Sequence, residues 1–162
     1  MAELLDVGDM VPENFEPKMK FRFILNIEGI DSYLVKSAQQ PQMTFEEIEI
    51  PWINATRYVA GKGKFNEMQI TLHDPISPSG GQEVMEWLRL QYESVSGRSG
   101  YADYYKRDLQ LKLLDPVGMV VSLWDIRGAF IKDSNFGELN FGTSETNEIS
   151  MTLRYDNAVL NF

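Results

Sequence analysis

A chain of 162 residues with 43% hydrophobic content is long enough for one domain with a buried core, and that apolar content excludes wholesale disorder. It has no cysteine and one histidine, His73, so disulfides, thiolate zinc sites and cysteine nucleophiles are excluded, and a Ser-His-Asp triad has one candidate base. The formal net charge of −9 argues against tight wrapping of DNA or an anionic membrane, because phosphate binding is driven by Lys and Arg.

In chain order, residues 1–18 form an acidic arm: Glu3, Asp6, Asp9, Glu13 and Glu16 meet no basic residue until Lys18, and Pro12 and Pro17 discourage regular structure. A frayed tail and an arm that orders on a partner both fit. The arm lacks the basic and apolar regions of a signal peptide, and no later run approaches the ~20 apolar residues of a membrane span. Synthesis in the cytosol is expected. From Met19 the pattern alternates: Met19, Phe21, Phe23, Leu25 and Ile27 predict a strand with one buried face. Glu28-Gly29-Ile30-Asp31 reads as a turn, and SYLVKSA as the returning strand.

Residues 46–64 then make an unusual ribbon, EEIEIPWINATRYVAGKGK. Phe45, Ile48 and Ile50 are strand-like, Pro51 forbids a central ladder position, and Gly61 and Gly63 allow a sharp turn near a basic tip. After it, Met68, Ile70 and Leu72 share one strand face, with Gln69, Thr71 and His73 on the other. Pro75, Pro78, Gly80 and Gly81 end that strand. QEVMEWLRLQYESV predicts the one convincing helix, with Val84, Trp87, Leu88, Tyr92 and Val95 as its core stripe. A loop leads to a hairpin, in which Leu109, Leu111 and Leu113 alternate, Asp115–Gly118 turns, and Val120 to Ile126 returns. Residues 128–144 read as a long connection. A last strand carries Ile149, Met151, Leu153 and Tyr155 on its apolar face. The sum is a single mainly β domain, a sandwich or barrel of about eight mostly antiparallel strands with one flanking helix.

Catalytic constellations fail on inspection. Gly61-Lys62-Gly63-Lys64 lacks the upstream glycine and downstream Ser or Thr of a phosphate loop, and no helix follows it. Glu46, Glu47 and Glu49 sit in a row on one ribbon, which suits a solvated edge better than two carboxyls facing a sugar. The acidic residues lack calcium-loop spacing, and His73 beside Asp74 stands without a nucleophile. Neither an enzyme nor a bound cofactor or metal is expected. Asn54-Ala55-Thr56 matches a glycosylation acceptor only by chance in an unsecreted chain.

The order of these stretches resembles a known family. FRFILNIEGIDSYLVKSAQQPQ, the ribbon with its following strand EEIEIPWINATRYVAGKGKFNEMQITLHDP, the helix bearing Trp87 and the closing EISMTLRYDNAVLNF look like the tail tube proteins of contractile-tailed bacteriophages. More distantly they are similar to the tube proteins of type VI secretion. The likeness covers about residues 18–162 and is one of order and texture. It implies hexameric rings stacked into a virion tail tube, with further copies of the chain, a tail sheath protein, baseplate proteins and a tail terminator as partners. It also implies a lumen that DNA crosses without binding.

On this reading the ribbon lies on a neighbouring subunit through Ile50, Trp52, Ile53, Tyr58, Val59, Lys62 and Lys64. The polar strand faces, Glu67, Gln69 and Thr71 with Glu148, Ser150, Thr152 and Arg154, line the lumen. A baseplate tube-initiator or tail terminator shares the fold expected here. A carbohydrate- or peptide-binding sandwich, using Trp52, Trp124, Tyr101, Tyr104 and Tyr105 as a platform, is the rival from another class, since aromatic residues suit both roles.

Overall fold

A computed structural model describes residues 7–162. Glu3 and Asp6 of the acidic arm lie outside the described residues. The elements run α1 (Val7–Met10), β1 (Phe23–Ile27), a 3-10 turn (Ser32–Leu34), β2 (Val35–Ala38), β3 (Met43–Pro51), β4 (Thr56–Phe65), β5 (Met68–His73), α2 (Gly80–Gln91), α3 (Ala102–Tyr105), β6 (Arg107–Leu114), β7 (Val120–Asn135), β8 (Glu148–Arg154) and β9 (Asn157–Leu160). Seven strands form one sheet in the order β1-β6-β7-β8-β5-β2, with β9 beside β7. Every neighbouring pair is antiparallel. The fold is therefore the mainly β class expected, with α2 as its main helix. The sheet bends into sandwich-like halves and does not close into a barrel.

The bend lies in β7. Its first part pairs with β6 and β9, and its last part with β8. Where it changes partners, Arg127 and Gly128 face Asp108 alone, because Arg107 pairs with Ala129 and Leu109 with Ile126. Gly128 takes φ +67, a left-handed conformation costly for other residues, and donates its N–H to Asp108 Oδ1 at 3.0 Å. A second irregularity follows between Ile131 and Asp133. Bulges of this kind bend a strand and raise its twist, which lets one strand serve two sheet halves. Residues 128–135 were expected in a connection; the two bulges and Gly128 break the period-two pattern that would have marked a strand.

Period-two alternation places the core as expected in β5 and β8: Met68, Ile70, Leu72, Ile149, Met151 and Leu153 are all buried. Leu25, Leu109, Leu111, Ile126 and Ile131 complete the sheet's apolar face. Met19 and Phe21 were expected to extend β1, yet both stay exposed and the strand begins at Phe23. The returning strand is also displaced. β2 pairs with β5 and β1 with β6, so the two strands form opposite edges of the sheet rather than a hairpin. Gly29, at φ +81, closes the tight turn after β1, and the buried Leu34 then carries the chain across.

Helix α2 starts earlier than expected because Ser79 caps it, its hydroxyl accepting from the Gln82 N–H at 3.4 Å. Val84 and Trp87 are buried as expected, and Leu88 packs beside them. The helix stops at Gln91, so Tyr92 and Val95 stay exposed. A small return around Gly97 uses the available groups: the Glu93 N–H donates to the Arg98 carbonyl at 2.9 Å, and the Gly100 N–H to that of Gln91 at 3.0 Å. Trp87 anchors the helix. Its indole N–H donates to the Tyr105 carbonyl at 2.7 Å, and the Arg107 guanidinium lies 4.8 Å from its ring centroid. Trp87→Ala would leave a large cavity under α2 and is expected to cost about 3–5 kcal/mol, read as a lowered urea midpoint with an unchanged slope.

Candidate functional site

The ribbon forms a two-stranded hairpin, β3 with β4, from Met43 to Phe65. It hydrogen-bonds to no other strand, and nearly every residue in it is exposed. Residues paired across an antiparallel ladder share a face. Ile48 with Val59 and Ile50 with Arg57 lie on one side. Glu47 with Ala60 and Glu49 with Tyr58 lie on the other. The hairpin tip is Trp52–Ala55, closed by the Trp52 N–H donating to the Ala55 carbonyl at 2.7 Å. Trp52 is 67% exposed and Ile53 99%. Ile50 and Val59 on one face, Tyr58 on the other, and Trp52 and Ile53 at the tip are thus all bare, as large apolar side chains are where another molecule covers them.

The turn is not at Gly61 and Gly63, and the basic stretch is not at the tip. Both glycines lie inside β4, with Lys62 and Lys64 exposed between and after them. Space explains them. A Cβ on Gly63 would sit 2.8 Å from the side chains of Met43 and Phe45, and one on Gly61 would sit 3.1 Å from the Glu46 carbonyl. The glycines let large β3 side chains cross over β4, beside a bulge between Phe45 and Glu47.

The second surface is the polar face of β5 and β8. Gln69 pairs with Thr152, Thr71 with Ser150 and His73 with Glu148. Gln69, Thr71, Glu148, Ser150 and Thr152, picked from two distant stretches, are therefore one contiguous patch, with His73 beside Glu148. β7 extends it through Asp133, paired with Thr152, and Asn135, paired with Ser150, and β2 through Ser37, paired with Thr71. Asp133 and Asn135 escaped the sequence reading because their strand was not recognised. Ion pairs tie two cations beside this face down: Lys36 with Glu148, and Lys132 with Glu67. The hydrogen bond from Lys132 holds the Glu67 carboxyl below its ordinary range, burial opposes it, and the charges of Lys132 and Arg154 add to the lowering.

No grouping suits catalysis. Among the described residues no cluster of His, Asp and Glu could hold a metal ion. Glu46, Glu47 and Glu49 are exposed along β3, with Glu47 and Glu49 on one face. Tyr101 and Tyr104 meet tilted at 54° with 6.1 Å between centroids, while Tyr105 meets Phe130 edge-on at 5.9 Å and Trp124 packs against the core. The aromatic platform expected of a sugar-binding module is thus divided. No helix of the described residues is long and apolar enough to cross a membrane.

A lowered carboxyl is stabilising above its ordinary range, and that contribution is lost as pH falls through the lowered value. A carbon-13 titration should therefore give Glu67 a midpoint below an ordinary glutamate. Lys132→Met should move that midpoint upward, and an unmoved midpoint would show that the ion pair does not form in solution.

No family model matches the chain. A tail tube protein of Serratia phage KSP90 is 28% identical over 130 residues, 78% of this chain and 72% of that protein. Among solved structures, a chain of the sheath/tube terminator of the PVC extracellular contractile injection system superposes with TM-score 0.74 at 14% identity, covering 91% of this chain and 99% of that one. A chain of the PVC sheath-tube complex gives 0.72 at 14% identity, over 98% and 99%. A type six secretion system protein gives 0.51 at 8% identity, over 85% and 81%. This chain is accordingly a sequence relative of a phage tail tube protein, with the fold that contractile injection systems and type six secretion also use.

Proposed function

We propose that this chain is a structural tail protein that closes into hexameric rings and stacks them into the inner tube of a contractile phage tail, forming the conduit through which DNA leaves. The observation that carries the reading is the β3–β4 hairpin. A chain akin to a tail tube protein leaves its β3–β4 hairpin bare, with Ile50, Trp52, Ile53, Tyr58 and Val59 exposed. Together with Lys62 and Lys64 these residues are the proposed contact with a neighbouring subunit. An unpaired apolar ribbon invites association, and a ring turns that liability into a defined contact. The sheath, the baseplate and a tail terminator are the proposed partners, after the assemblies in which the structural neighbours occur. Assembly would take place in the host cytoplasm. A terminator cap shares this fold, so it is the sequence relative that favours the tube.

The polar patch is the proposed lumen lining: Glu67, Gln69, Thr71, Glu148, Ser150, Thr152 and Arg154. DNA must slide past it without being held. Each Lys or Arg that binds phosphate releases counterions, so free cations would act as traps. Beside this face Lys36 and Lys132 are already paired with Glu148 and Glu67, which lowers their value to a passing phosphate.

Electron microscopy of the concentrated protein, alone and on a baseplate seed, should show rings and tubes; a strict monomer under both conditions would overturn the reading. Trp52→Ala should lower polymer yield while the unfolding free energy from urea titration stays within about 0.5 kcal/mol of the parent, because an exposed side chain contributes little to the isolated fold. If the unfolding free energy falls by several kcal/mol instead, Trp52 supports the fold and not the contact.

Replacing Gln69 and Thr152 together by Lys adds two charges to the cross-strand pair at the centre of the patch. Tubes should still form, since the inward faces are untouched. The salt dependence of DNA binding should steepen by ~0.9 for each phosphate that the new lysines neutralise, and phage carrying the change should eject poorly. Ordinary ejection from normal tubes would remove these residues from the lumen.

A further inference from the structure

We infer that successive rings are joined by an acidic, aromatic loop at one end of the subunit seated in a basic, apolar groove at the other end of a second copy. The inference rests on the ring-stacking reading above and names the contact that would carry it.

The loop is residues 136–147, between β7 and β8. Its tip presents Leu139 and Phe141 fully to solvent. Local bonds shape that tip: the Gly142 N–H donates to Asn140 Oδ1 at 2.8 Å, and the Gly137 N–H to Asn135 Oδ1 at 3.0 Å. Glu138 and Glu145 flank the apolar pair, and residues 136–147 contain no Lys or Arg. A held, exposed aromatic beside carboxylates is costly in water and suited to burial against a basic apolar surface.

Such a surface lies at the far end of the molecule. Where the curled sheet stays open, between the start of β1 and the segment after β2, there is a groove of about 460 Å³. Phe23, Leu111 and Leu113 give it an apolar lining, and Lys20 stands at its rim. A neighbouring groove continues it past Lys18 and Trp124. Lys20 makes no salt bridge among the described residues. Leu113 pairs with Ser122 near the start of β7, whereas the loop leaves the end of β7 at Asn135. The strands of the other sheet half run between the two: Val35 at the start of β2 pairs with Leu72, whose other partner Ile149 adjoins the loop, while Ala38 and Gln39 at the end of β2 line the groove.

Complementary surfaces at opposite ends of a subunit make a heterologous contact, which repeats without limit along an axis instead of closing as a pair. The charges enforce direction. Loop meets groove as acid meets base, while loop against loop sets like charges together, and like charges at an interface suppress wrong pairings.

Two charge reversals test this in the full chain. Lys20→Glu makes the groove acidic, and Glu138→Lys combined with Glu145→Lys makes the loop basic. All three side chains are exposed, so folding should be unaffected, which the urea midpoint checks. Each variant alone should give rings that do not stack, with the protein concentration needed for tubes raised at least about tenfold. Mixed, the two should grow tubes again, because each loop then meets an opposite groove. Phe141→Ala should also leave rings without tubes.

Variants that stack singly at the parent concentration would overturn the contact, as would a mixture that stays as rings. A parent chain that gives neither rings nor tubes, with or without a baseplate seed, would instead overturn the ring-stacking reading itself.

Discussion

Everything in this fold depends on one strand being shared. β7 carries ladders to β6, β8 and β9, and it can do so only because it bends at Gly128 and again after Ile131. A flat strand would hold one sheet half and leave the other half's apolar residues in water. The bend sets Ile126 and Ala129 against one group of side chains and Ile131 against another, within one continuous core. The Asp108 carboxylate that accepts the Gly128 N–H fixes where the bend occurs. The same curvature leaves the sheet open between its two edge strands, which creates the groove beside Phe23 and Leu113.

With the core satisfied inside one chain, what remains outside is informative. The apolar faces of β5, β8 and α2 are buried, and the polar residues of β5 and β8 are paired across the ladder. Large apolar residues are left bare in the β3–β4 hairpin, at the tips of loops, between Met10 and Phe21, and in and after β9. The proposed polymer would put such a distribution to use, because its interfaces must be exposed before assembly and covered after it.

Much of this was legible in the residues. Strict alternation marked β5 and β8 and both of their faces, since a side chain's direction there depends only on parity. Helix α2 was legible through Val84, Trp87 and Leu88, but its end was not, because the competing return around Gly97 uses bonds that hydropathy does not encode. β7 beyond Ile126 was hidden by its bulges, and with it Asp133 and Asn135 of the polar patch. The turn of the ribbon was misplaced because glycine permits both a sharp turn and a close crossing. At Gly61 and Gly63 it serves the crossing, which depends on the bulk of Met43, Phe45 and Ile48 across the ladder. Pairing of β1 with β6 and β2 with β5 is a matter of long-range topology, and a short turn between two strands does not reveal it.

The bare hairpin also bears on kinetics. A two-stranded ribbon without core contacts is marginally stable in water, so its backbone opens locally at little cost. In the proposed assembly the entropy of ordering it would be lost only when it acquires a surface to lie on. The first few subunits to meet would bear that cost without the full set of contacts that later arrivals enjoy. Such a chain would be slow to nucleate and quick to elongate. It would wait as a soluble subunit at concentrations well above those that sustain growth, and a template would decide where its polymer begins.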